Sequence, residues 1–156
     1  MESQAMQPIK PMKAIWVVIL GASLLTSACQ PGRVPFKAIP IPPGAELANP
    51  EGPEEVLIDL TQGDIFDAVR DKYGKPRIEI YLLPAETDWK KITQFYTERL
   101  KGGDWQAEPR FSRRKGYYEM IGWGRNQQAL VIAYLEKPEG VSRNYLLVAL
   151  APEDGN

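Results

Sequence analysis

A chain of 156 residues with 19 Lys+Arg, 20 Asp+Glu and no histidine excludes Ser–His and Cys–His nucleophilic catalysis, since both need the imidazole. Its single cysteine, Cys29, leaves no partner for an intrachain disulfide and no Cys/His set for zinc. The near-even charge balance lacks the basic excess of a nucleic-acid binder, so no nucleic acid is expected as partner.

In chain order, Lys10 and Lys13 precede the apolar run from Ala14 to Leu20, and Leu24-Leu25-Thr26-Ser27-Ala28 leads into Cys29. Positive residues, a short apolar stretch and small residues before a cut make a secretory signal. With cysteine first after the cut, residues 1–28 resemble a bacterial lipoprotein signal peptide, and Met12-Lys13 offers an alternative start. The resemblance implies that the Cys29 thiol carries a diacylglycerol, that the new amino end is acylated (palmitate being the usual chain), and that the peptide before it is removed. It implies a bacterial envelope protein whose membrane partner is reached through that lipid. Gln30, where inner-membrane retention in enteric bacteria commonly uses Asp, implies the outer membrane where the host has one. Two other readings compete. The stretch from Ala14 to Ala28 holds fifteen residues, fewer than the roughly 20 of a spanning helix. As a core helix it would be apolar on every side and followed at once by Pro31 and Gly32.

Without Lys10, Lys13 and Glu2, the remainder has 17 basic and 19 acidic residues. Residues 29–55 carry seven prolines between Pro31 and Pro53. Proline fixes φ and removes a donor, so this segment reads as a stiff tether. Pro40-x-Pro42-Pro43 also has the spacing of a ligand for a proline-reading module, and a spacer is the simpler reading. Residues 56–152 then read as one domain of ordinary size.

Val56–Leu60 reads as a strand, with a helix capped by Thr61 and closed by Gly74 after it. Ile78–Leu83 is the next strand. Asp88 caps a second helix, whose Trp89, Ile92, Phe95, Tyr96 and Leu100 recur at helical spacing, and Gly102-Gly103 ends it. Tyr117–Trp123 and Ala129–Leu135 flank the turn Gly124-Arg125-Asn126-Gln127, and Tyr145–Leu150 is the last strand. The runs from Ala129 and Tyr145 are apolar at nearly every position, as in strands covered on both faces. The expected fold is α+β: a four- to five-stranded antiparallel or mixed sheet with two helices packed on it.

Pro43-Gly44-Ala45 followed by Phe95-Tyr96-x-x-x-Leu100, Gly and Trp105 resembles a loose group of small exported bacterial proteins. In that group Gly and Trp are adjacent; here Gly102-Gly103-Asp104-Trp105 intervenes. The group has no assigned reaction, so the resemblance bears on the fold alone.

Gly122-x-Gly124 lacks the following helix of a phosphate loop. Asp64, Asp67 and Asp71 share a helix face, but a calcium loop needs closer spacing and a glycine, so they read as a solvated face. No cofactor and no metal are expected. Glu79, Glu86, Asp88 and Glu119 are the carboxylates available for an acid/base pair, although Asp88 is already explained as a cap. Arg110, Arg113, Arg114 and Lys115 form the one dense basic run. Together with Trp123, which two glycines flank, or Tyr118, it is the expected binding surface for a protein or an anionic envelope component. The reading is a lipid-anchored envelope accessory or binding protein without catalytic activity. The alternative is a carboxylate-dependent enzyme acting on envelope glycan.

Overall fold

A computed structural model describes residues 32–136 and 143–153; residues 1–28, expected as a signal segment, and Cys29 lie outside the described residues. The elements are β1 (Glu46–Leu47), α1 (Pro53–Tyr73), β2 (Arg77–Leu82), α2 (Trp89–Leu100), β3 (Gln106–Ala107), β4 (Arg113–Lys115), β5 (Tyr118–Arg125), β6 (Gln128–Leu135) and β7 (Tyr145–Ala151), with 3-10 turns at Phe36–Ala38 and Pro109–Phe111. The strands form one open sheet in the order β1-β2-β7-β6-β5-β3, with β4 also on β5, and every pairing is antiparallel. The class is α+β as expected. The sheet has seven strands rather than four or five, because β1, β3 and β4 are too short to show an alternation in sequence.

The helices cover opposite faces. Ile58, Ile65, Val69 and Tyr73 of α1 pack on Tyr118, Met120, Val131, Leu135 and Leu147, where Ala129, Ala133, Ala149 and Ala151 keep the strands low beneath the helix. Ile92, Tyr96 and Leu100 of α2 pack on Leu130, Ile132, Tyr134, Leu146, Val148 and Leu150. Every residue of β6 and β7 is therefore buried, which accounts for their unbroken apolar runs.

Three expectations change. Val56–Leu60 is no strand: α1 begins at Pro53, with Glu54 and Glu55 in its first turn, a favoured start because proline suits the first helical position and acids the positive helix end. Val56 and Leu60 are exposed at 62% and 53%. Thr61 sits inside the helix and donates its hydroxyl to the Leu57 carbonyl at 2.7 Å, a helix-interior habit of threonine. On α2, Asp88 caps as expected, accepting from the Lys91 N–H at 2.8 Å. The buried face is Ile92, Tyr96 and Leu100, while Trp89 and Phe95 are only half-buried flanks. Phe95 stands edge-on to Tyr96, ring centroids 5.1 Å apart.

The tether is the third. From Val34 the proline-rich segment lies on the domain instead of extending to residue 55. Phe36 and Ile39 are buried in the α2-side core, and β1 pairs with the end of β2. Gly44 has φ +75°, and a Cβ there would lie 2.9 Å from the Pro84 ring, so the Pro43-Gly44-Ala45 turn needs its glycine.

Candidate binding site

The basic run lies along β4 and the turn before it, but it is largely neutralised within the chain. Lys115 Nζ is 2.5 Å from Asp64 Oδ2. Arg110 Nη2 is 2.9 Å from Glu108 Oε2, with its guanidinium over the Tyr73 and Phe111 rings at 5.1 and 4.7 Å. Arg114 Nη2 is 3.7 Å from Glu119 Oε1, with the arginine side chain 80% exposed. Arg113 is exposed and makes no ion pair among the described residues. Successive strand residues alternate between faces. Register sets Arg113 and Lys115 beside Met120 and Tyr118, and Arg114 beside Glu119; Arg114 and Lys115 line a small hollow of about 140 Å³ that Glu119 and Glu136 share, and Arg113 is not part of it.

Trp123 does not join them. It is 7% exposed, packed on the α2 side with its ring 6.1 Å from that of Tyr96. The flanking glycines serve close packing instead of exposure: a Cβ on Gly122 would lie 2.7 Å from the Leu130 carbonyl oxygen. Tyr118 is buried as well, donating its hydroxyl to Asp64 at 2.8 Å.

Carboxylates mostly fasten elements together. Along α1, Glu54 accepts from Tyr145 of β7 at 3.2 Å, Asp64 accepts from Tyr118 of β5, and Tyr73 donates to Glu108 at 2.9 Å. These three bonds fix the helix at its start, middle and end. Burial pushes Asp64 upward, but hydrogen bonds from Lys115 and Tyr118, with Arg113 nearby, outweigh it and hold the carboxyl below its ordinary value. Glu108 is likewise lowered: Tyr73, Lys72 and Arg110 overcome its burial. A general acid at neutral pH needs the opposite shift. Of the four carboxylates expected to be available for catalysis, Asp88 caps α2, Glu119 faces Arg114, and Glu79 accepts from Arg77 at 2.6 Å and Tyr81 at 2.5 Å. Glu86 is an exposed loop residue whose backbone carbonyl accepts from Lys91. Asp67 and Asp71 pair with Arg70, apart from Asp64. Among the described residues no cluster of three His, Cys, Asp or Glu is placed to hold a metal ion.

A concavity with mixed chemistry lies where the proline-rich segment meets β2. Pro35, Phe36, Lys37, Ile39 and Ile41 form one wall of a cleft of about 440 Å³, and Arg77, Glu79 and Tyr81 form the other. Arg77 rests 4.8 Å from the Phe36 ring centroid while holding Glu79. Burial and the Glu79 carboxylate push the Tyr81 hydroxyl well above its ordinary value, so it stays a proton donor to Glu79. Lys37 is exposed and forms no ion pair among the described residues. Sequence reasoning missed this site because it assigned one wall to a tether. The available signal was Phe36 and Ile39, spaced three apart between the prolines.

No family model, curated protein or solved structure matches the chain. Among the described residues no helix is long and apolar enough to cross a membrane.

Proposed function

We propose that this chain is a non-catalytic accessory domain of the bacterial envelope, lipidated at Cys29, held at the outer membrane where the host has two, and working by binding. The sequence around Cys29 supports the anchor. The observation that carries the binding reading is the cleft between Phe36 and Tyr81. It combines aromatic rings, a guanidinium–carboxylate pair and an ammonium with no ion pair among the described residues, the mixture by which small recognition sites fix a ligand's orientation. Arg113 and Arg114, on opposite faces of β4, are further cationic positions at the sheet edge.

A photoreactive side chain at Lys37, introduced into the full chain in living cells, is expected to capture one defined species. The same probe at the exposed Gln94 of α2 should capture none. Equal, diffuse labelling at both positions would overturn the cleft as the working site. The intact mass of the envelope-purified chain tests the anchor: a mass equal to the unmodified precursor would overturn it.

A further inference from the structure

We infer that the cleft takes an anionic phospholipid of the membrane that holds the chain, with the phosphate on Lys37 and Arg77 and the glycerol beside the half-buried Ile41. This deepens the proposed function and rests on its anchor reading. The first support is chain length. Pro35, at the cleft rim, is six residues after Cys29, and six extended residues reach at most about 20 Å. A lipid on Cys29 would therefore keep this wall of the cleft within that distance of the membrane surface. Val34 cannot drift from its place, because the Gln128 side chain holds its backbone by two hydrogen bonds.

The second support is charge complementarity. Both oxygens of Glu79 are occupied, one by Arg77 and one by Tyr81, so the carboxylate is satisfied within the chain and offers little to a cation. The positive groups retain capacity. Lys37 has no ion pair among the described residues, and a guanidinium carries five N–H donors, of which the contact with Glu79 uses Nη2. The polar demand of the cleft is thus for an anion with acceptor oxygens, beside the apolar side chain of Ile41; Phe36 and Ile39 are buried in the core behind it. A free sugar lacks the charge, and a free phosphate leaves the Ile41 side chain unused. A phospholipid supplies both parts, and basic pockets on the membrane side of a protein are where such headgroups lodge.

The test uses the full chain purified from envelopes, with its lipid, placed in nanodiscs of phosphatidylcholine with or without phosphatidylglycerol. The readout is amide hydrogen exchange at Ala38 and Ile39, whose N–H groups bond to Pro35 and Phe36 carbonyls. Exchange there should slow about fivefold when phosphatidylglycerol is present, the effect of one cation engaging an anionic surface. It should not change at the Lys91 amide on the α2 cap. Lys37→Glu should abolish the difference. Equal exchange in both discs, or a difference that survives Lys37→Glu, overturns the proposal. Equal slowing by inorganic phosphate in phosphatidylcholine discs overturns a lipid as the occupant. The intact mass separates the two readings: a lipidated chain without slowing rejects the cleft and keeps the anchor, whereas an unlipidated chain rejects the anchor.

Discussion

The side-chain amide of Gln128 closes on the backbone of Val34, accepting its N–H at 2.7 Å and donating to its carbonyl at 3.0 Å. Gln128 opens β6 and is 2% exposed, so this pair acts like one rung of a strand ladder supplied by a side chain. It fixes where the proline-rich segment meets the domain, and with it the wall of the cleft.

Gln128→Leu keeps the bulk and removes both bonds, leaving Val34 donor and acceptor groups unpaired. The loss should be about 1–3 kcal/mol, read in denaturant melts. Exchange at Ala38 and Ile39 should speed up with it. A change below about 0.5 kcal/mol with unaltered exchange would show that the segment is held by Phe36 and Ile39 alone.

Much of the sheet was legible because burial on both faces leaves a plain mark: Ala129–Leu135 and Tyr145–Leu150 have almost no polar residue. The α2 cap was legible from Asp88 and the apolar spacing behind it. The start of α1 was not. Val56-Leu57-Ile58-Asp59-Leu60 has strand composition, yet only Ile58 is fully buried there, and the helix is set by Pro53, Glu54 and Glu55 ahead of it. The cleft was hidden for a related reason. Proline density forbids a regular helix but not packing, and Phe36 with Ile39 packs where a tether was expected. The basic run was visible as charge, but its partners Asp64 and Glu108 lie 51 residues before Lys115 and two before Arg110. The first of these is a tertiary relationship that composition cannot show. The α2 face differs in one measurable way: Ile92→Ala should cost about 2–5 kcal/mol, and Phe95→Ala distinctly less, because only the first is fully buried.

The Asp64 and Glu108 carboxyls both sit below their ordinary values of 3.8 and 4.5. A lowered folded-state value means stability that is complete above the unfolded value and lost as pH falls through the folded one. Acid should therefore loosen the fastening of α1. Asp64→Asn is expected to cost about 1 kcal/mol at pH 7. The gap to the parent should close in melts as the pH falls through the lowered folded-state value of Asp64, below which both chains are neutral at this position. A gap that is constant with pH would mean that the charge on Asp64 contributes nothing.

Two glycines should respond in opposite directions to alanine. At Gly122 a Cβ would lie 2.7 Å from both the Leu130 carbonyl oxygen and Phe111 Cδ2. The carbonyl belongs to the sheet and cannot move aside, so Gly122→Ala should cost about 1–3 kcal/mol. Gly63 is in the middle of α1, where a Cβ meets nothing within 4 Å, so Gly63→Ala should stabilise by about 1 kcal/mol through helix propensity. Thermal midpoints of the two variants should fall on either side of the parent.

The three cations of β4 should separate by what each one touches. Arg113 has no ion pair among the described residues, and Arg114 has only a long exposed contact with Glu119; pairs of that kind contribute about 0–1 kcal/mol. Replacing both by Glu should leave the melting midpoint nearly unchanged. Lys115 is different, because its ammonium shares Asp64 Oδ2 with the Tyr118 hydroxyl, and Asp64 belongs to the helix that the bond fastens. Lys115→Glu places a carboxylate against that carboxylate and should cost about 1–2 kcal/mol, the size of a charged hydrogen bond exchanged for repulsion. If the cleft is the working site, the Arg113→Glu/Arg114→Glu chain should also keep its photo-capture through position 37. Loss of capture in that double variant, with the midpoint unchanged, would return the binding role to the sheet edge.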